Sequence, residues 1–295
     1  YVLGPDQALI LRGRWPECRC ANVSLWNRHM QTYDFTTRPV SLNRKQTRLD
    51  AATAPAGMMR QAMREVWHHV QERLVFDRRL SDQPLMQRVV ADLEIETEAS
   101  LLLAMRGARA MDRTADDEHE AALARLLPAL AKFWHNKRCP AFMAEAMECL
   151  GGIGYVEETP LARLYREAPV NSIWEGSGNV ICLDVLRILE RHPASIEALR
   201  QELNLARGHH PAFDAAVDSL DARLTASAER LQAEARWLAQ SMAQTLQAAL
   251  LIRHAPHAIA DTFCTTRLAS ASPIFGVLPA NAPVPAILER LKESV

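Results

Sequence analysis

Lysine is nearly absent from this 295-residue chain. It stands only at 45, 132, 137 and 292, and every other basic side chain is arginine. The bias fits anion binding and fits a genome's base composition equally well, so it selects no function. An excess of one charge sign is missing too. The formal net charge is −1, which neither favours nor excludes an acidic partner. Cysteine is sparse, with six residues at 18, 20, 139, 149, 182 and 264. That argues for reduced thiols in a cytoplasmic protein. Cys18-x-Cys20 has no second ligand pair nearby, which argues against zinc. No apolar run approaches the roughly 18 residues of a membrane span, so no membrane partner is expected. No signal peptide is visible and the chain begins at Tyr1, so it is expected to be a fragment of a longer protein.

Residues 1–48 differ from the rest. Eight basic residues face three acidic ones, and the apolar residues keep neither a helical nor a strand period. One short strand is expected around Leu3 and Ala8 to Leu11. The stretch reads as an irregular leader or as a basic nucleic-acid arm. From Asp50 the texture becomes helical. Met58, Ala62, Met63, Val66, Val70 and Leu74 recur at three- and four-residue steps, which predicts a helix to about Leu74. A break covers Phe76 to Ser81. A second helix is expected over 83–111, with Pro84 in its first turn. A third runs from about 118 to Leu150, with Pro140 expected to kink or break it. Beyond Arg191 the pattern predicts a weak helix at 195–206, a long one at 213–254 with a bundle seam, another at 258–269 and a terminal turn at 287–292. The fold class is therefore all-α, a helical bundle with short connections.

The informative stretch is Cys149 to Arg187. It concentrates glycine, proline and aromatic residues in a chain that otherwise spends few of them. Glu175 is the only carboxylate inside its glycine-rich turn. By spacing alone it is either a general base or a carboxylate stabilised by the dipole of the following helix. Trp174 beside it would desolvate it and raise its pKa. Gly176, Ser177, Gly178 and Asn179 lead into a helix whose free N–H groups suit a phosphate or a flavin edge, or simply cap the helix. Gly151-Gly152-x-Gly154 lacks the spacing of a dinucleotide fingerprint and reads as a helix stop. His135 and Cys139 stand four apart without a third ligand, so no metal is expected. No nucleophile–His–acid arrangement is visible.

The order of motifs carries a resemblance. It runs through Arg73-x-x-Phe76, Gln83, Gly151-Gly152-x-Gly154-Tyr155, Leu161-x-Arg163-x-x-Arg166 and Ile173-Trp174-Glu175-Gly176-Ser177-Gly178-Asn179. Over residues 49–280 this is similar to the C-terminal all-helical domain of the acyl-CoA dehydrogenase family. The helical segment past Arg191 resembles the family's bacterial alkylation-response branch. The resemblance implies a leader at 1–48, a family bundle at 49–192 and a C-terminal extension at 193–295. It implies FAD as cofactor, an acyl-CoA substrate and a homotetramer. Glu175 would remove the α-proton of an acyl thioester. Ile173 to Asn179 would contact the flavin. Arg73, Phe76 and Gln83, with Gly151 and Gly152, would reach a flavin across a subunit interface. The branch also implies sequence-independent, salt-sensitive DNA binding, with Arg187 and Arg267 as the expected contacts. Over residues 187–270, however, nine arginines face nine acids, so net charge lends DNA no support. Two departures stand out. The family's N-terminal and β-domains are absent, and Asp77 stands where the family has glycine after Arg-x-x-Phe. A non-catalytic helical oligomerisation domain is the alternative reading, with little or no flavin binding expected of this chain by itself.

Overall fold

The structure, a computed structural model, describes residues 47–294. The expected leader strand, the basic arm and the Cys18/Cys20 pair lie outside the described residues. Three long helices form the frame: α1 (Thr47–Glu72), α2 (Pro84–Asp112) and α3 (Glu118–Leu150). Asp117 caps α3, its side chain accepting from the Glu120 N–H at 3.1 Å. Pro140 was expected to interrupt α3, yet the helix runs on through both Pro128 and Pro140. The reason is packing. The helix is central, lying against α1 and α2 as well as later helices, and burial on several sides outweighs the local loss of hydrogen bonds.

Pro55 sits well inside α1, because the helix begins earlier than the sequence pattern predicts. Its missing N–H leaves the Ala51 carbonyl without its helical donor. Asn136 of α3 supplies that donor at 3.0 Å, and His135 Nδ1 donates to the Ala52 carbonyl at 2.7 Å. Cys139 lies against the Pro55 carbonyl. These contacts set α1 and α3 side by side and running the same way. Arg106–Glu120 and Arg138–Glu96 set α2 antiparallel to α3. The expected break between α1 and α2 is a two-residue hairpin, β1 (Leu74–Val75) and β2 (Arg78–Arg79), with Leu74 opposite Arg79.

Two short helices follow α3, α4 (Gly152–Tyr155) and α5 (Leu161–Glu167), then α6 (Gly178–Arg191) and α7 (Pro193–Asn204). The long helix expected over 213–254 is three: α8 (Pro211–Leu224), α9 (Ala228–Ala233) and α10 (Ala235–His254). Side-chain hydroxyls explain the break. Thr225 Oγ1 donates back to the Ala222 carbonyl at 2.8 Å, and Ser227 caps the restart. Then come α11 (His257–Phe263), a π-helical turn (Cys264–Ala269) and α12 (Val284–Ser294).

One continuous apolar cluster runs from Ala52 of α1 to Leu291 of α12. The extension is fastened to the bundle by two buried ionic networks. In the first, Glu202 of α7 receives Arg106 at 2.8 Å and Arg253 at 3.1 Å. Burial pushes the Glu202 carboxyl up, but these partners outweigh it and hold it near about 2. In the second, Arg267 reaches Asp92 at 2.6 Å and Glu96 at 3.2 Å, and Arg138 reaches Glu96 at 3.0 Å. The irregular segment after the π-turn crosses the same spot. The Gly276 N–H donates to Asp92 at 2.8 Å, and a Cβ on Gly276 would meet Val89 at 2.8 Å.

Candidate functional site

The Trp174-Glu175-Gly176 turn lies halfway along α3, just before α6. Glu175 has φ 55° and Gly176 φ 104°. Glycine adopts such angles freely, and glutamate does so only when its surroundings enforce it. The enforcing contact is Lys132. This lysine is buried in α3, and its Nζ donates to the Trp174 carbonyl at 2.6 Å and the Gly176 carbonyl at 2.8 Å. The two acceptors flank Glu175. The turn's backbone is thereby pinned to the bundle core, while the Glu175 side chain projects into solvent. Trp174 is half-buried and Ile173 is exposed. Trp174 was expected to shield Glu175, but within this chain the glutamate side chain is exposed.

Ser177 precedes α6 without giving a side-chain cap. The first-turn N–H groups have no intrahelical acceptor, as at any helix start. A Cβ on Gly178 would meet Lys137 Cε at 3.0 Å, so glycine here lets the lysine lie close over the helix start. Arg236 of α10 donates to Asn179 Oδ1 at 2.9 Å and lies 5.5 Å from the Phe133 ring centroid. The α6 N-terminus thus carries a dipole, two cations and an asparagine in one place. That composition suits an anionic or polar planar group. A hollow of about 660 Å³ lies further along α6 beside Leu186, Ile196 and Leu231. It contains none of the residues of the glutamate turn.

Arg73, Phe76 and Gln83 lie at or beside the hairpin. Phe76 and Asp77 have φ 52° and 60°, the paired left-handed turn of a tight hairpin. Asp77 stands where glycine would be at ease. Gln83 donates to the Val75 carbonyl at 3.2 Å and braces the hairpin. Phe76 is 89% exposed. Gly151, with φ 67°, stops α3, and Gly152 is exposed beside it. Gly154 is the glycine that packing demands, since a Cβ there would sit 2.4 Å from the Met147 carbonyl.

The structure does not bring all these residues together. Some twenty residues of α1 separate the Ala52–His135 contact from the hairpin, which at a rise of 1.5 Å per residue is roughly 30 Å. Gly151 lies a similar distance along α3 from Lys132. The candidate residues of one chain therefore fall in two separate groups, one midway along α3 and one near the C-terminal ends of α1 and α3.

The two arginines expected to meet DNA fare differently. Arg187 is exposed and pairs with Asp184 at 2.8 Å. Arg267 is a correction. The π-helical turn directs it inward, where it is buried on Asp92 and Glu96 and only 9% exposed, with its guanidinium already paired. His135 and Cys139 both face α1 carbonyls, and among the described residues no group of three or more His, Cys, Asp or Glu could hold a metal ion. No described helix is long and apolar enough to cross a membrane. Lys132 is the functional candidate that sequence reading missed. Its signal was a lone lysine inside the apolar run from Leu126 to Trp134.

Comparison with known proteins adds the family. The model of the acyl-CoA dehydrogenase C-terminal domain matches residues 41–190. The chain belongs to the acyl-CoA dehydrogenase family. It is 47% identical over 188 residues to the Escherichia coli protein described as putative acyl-CoA dehydrogenase AidB, covering 64% of this chain and 35% of that protein. It is 30% identical over 230 residues to acyl-CoA dehydrogenase family member 11 of Caenorhabditis elegans, covering 71% of this chain and 37% of that protein. The crystal structure of the nematode ACDH-11 in complex with C11-CoA superposes with a TM-score of 0.67 at 28% identity, covering 75% of this chain and 41% of that one. The chain spans about a third of the length of these curated relatives. Its all-α architecture is that of the family's C-terminal helical domain.

Proposed function

We propose that this chain is the catalytic-base-bearing helical part of a flavin-dependent acyl-CoA dehydrogenase, with Glu175 as the base. The observation that carries this reading is the glutamate turn: a lone carboxylate on a pinned left-handed turn, presented outward beside a cationic helix start. The residues fit FAD. Gly178 lets Lys137 lie close over the helix start, and Asn179 and Arg236 offer polar contacts beside it. When bound, FAD supplies the acceptor for the hydride leaving the substrate's β-carbon. The chain's own part is the other half of the reaction. Glu175 takes the α-proton of an acyl-CoA thioester as general base. The α6 start holds anionic or polar groups through free N–H groups and its dipole. Trp174 and Ile173 offer apolar surface beside the base.

Arg73, Phe76, Gln83, Gly151 and Gly152 serve the flavin of a second copy of the chain. The separation of the two groups supports this, as do the exposed Leu74, Phe76, Leu85 and Tyr155 at that end. An assembly of this kind, a homotetramer by resemblance, puts two partial sites from different copies together. The substrate class we assign is an acyl-CoA thioester. A flavin titration tests the reading. The full-length protein is expected to bind FAD at one per chain, and this chain alone weakly or not at all. A full-length protein that binds no flavin overturns the proposal. Stoichiometric FAD binding by a monomer lacking Arg73 and Phe76 would refute the shared site.

A further inference from the structure

We infer that Lys132 is the positioning residue that holds Glu175 in working geometry, a role that rests on the reading of Glu175 as base. Glu175 stands at a backbone angle that costs a non-glycine residue free energy, and Gly176 continues the same left-handed excursion. Such a turn persists only when something over-determines it. Among the contacts of that kind are the two hydrogen bonds from the Lys132 ammonium to the carbonyls on either side of Glu175, at 2.6 and 2.8 Å, which together reach both flanks of the glutamate. Both involve a charged donor, and both are short for a bond from nitrogen to oxygen.

The lysine itself is fixed. It belongs to the central helix, it is 1% exposed, and the Asn136 side chain donates to its own backbone carbonyl at 2.8 Å while also reaching Ala51 of α1. The rigid unit is therefore α1–α3, and Lys132 is the arm by which it grips the turn. A buried ammonium is costly to leave without acceptors, so the two carbonyls and the lysine hold each other in place. Lys132 does not touch substrate. It acts through the backbone of Glu175, and its removal frees Glu175 and Gly176 to relax out of the left-handed region. The carboxylate then sweeps a wider arc, and a displacement of about 1 Å in a reacting group costs on the order of 100-fold in rate.

Two measurements test this, one of them independent of catalysis. In the full-length protein, Lys132→Met is expected to raise amide hydrogen exchange across 173–178 by about tenfold or more while α3 and α6 keep their protection. In the flavin-loaded protein, anaerobic mixing with an acyl-CoA is expected to bleach the flavin about 100-fold more slowly in Lys132→Met, with substrate affinity changed by less than about threefold. Lys132→Gln keeps a donor for one carbonyl without the charge, and it is expected to fall between Met and wild type in both readouts. It also serves if the Met variant fails to fold. Unchanged exchange over 173–178 in a folded Lys132 variant overturns the proposal, as does unchanged bleaching. If Glu175→Gln bleaches as fast as wild type, the base reading fails, and the positioning role falls with it whatever Lys132→Met does. If Glu175→Gln is dead and Lys132→Met is normal, the base reading stands and only the Lys132 inference is lost.

Discussion

Arg267→Ala separates two views of the extension. If Arg267 were a surface cation waiting for a phosphate, its loss would change stability by less than about 0.5 kcal/mol. The structure instead buries it on Asp92 and Glu96 at 2.6 and 3.2 Å. The magnitude follows from Glu96. Burial pushes its carboxyl up, yet Arg138 and Arg267 together bring it from 4.5 down to about 2. At about 1.4 kcal/mol per pH unit, that net preference for the ionised form is about 3 kcal/mol. Arg138 remains after the substitution and keeps part of it. Asp92 loses its arginine as well, and breaking a buried pair costs about 3–5 kcal/mol. A loss of about 3 kcal/mol at pH 7 is therefore expected by urea unfolding followed by circular dichroism. The pH dependence adds a sign. The folded Glu96 carboxyl lies below its unfolded value, so its stabilisation is fully present above about 4.5 and disappears as pH falls towards 2. In Arg267→Ala this acid slope is shallower. A loss below about 1 kcal/mol at pH 7, or an unaltered slope between pH 5 and 2, would refute the buried network.

Other expectations follow from the same packing. Gly154→Ala places a methyl 2.4 Å from the Met147 carbonyl and is expected to cost about 1–3 kcal/mol; a thermal melt within about 1 °C of wild type contradicts it. Asp77→Gly relieves the left-handed turn at φ 60° and is expected to stabilise the hairpin by up to about 1 kcal/mol, seen as slower amide exchange over 73–80. His135 is buried and pushed down to about 4, mainly by desolvation. Its folded value lies below its unfolded one, so stability is lost as pH falls from about 6.5 to 4, by about 3 kcal/mol. His135→Gln is expected to flatten that limb, and an unchanged limb would show that the imidazole is protonated inside the fold.

Much of the frame was legible in the sequence because apolar periodicity and helix signals agreed. Pro84 at a helix start and Gly151 at a stop each did locally what its chemistry dictates. Legibility failed where distant contacts decide. Pro140 reads as a breaker, but the neighbours of α3 hold the helix together. The pattern from 213 to 254 keeps its apolar steps across Thr225 and Ser227, whose hydroxyls nonetheless end one helix and start another. Arg267 reads as a surface arginine because nothing local announces a π-helical turn or the two acids 171 and 175 positions upstream. The glutamate turn was legible as a motif. Its support was not, since Lys132 lies 43 residues away on another helix and meets the turn only after folding. The separation of the hairpin from the turn was equally invisible, because sequence order carries no distance.

The central claim is that Glu175 abstracts a proton from an acyl-CoA. Its most direct measurement is anaerobic stopped-flow absorbance of the flavin-loaded full-length protein mixed with an acyl-CoA, wild type beside Glu175→Gln. Glu175 is exposed in this chain, so the substitution is expected to leave folding intact, and the two proteins are compared at equal flavin content. The account predicts rapid bleaching in wild type and a loss of at least about 100-fold in Glu175→Gln. Equal bleaching in the two proteins, or none in a flavin-replete wild type offered acyl-CoAs of several chain lengths, would contradict it.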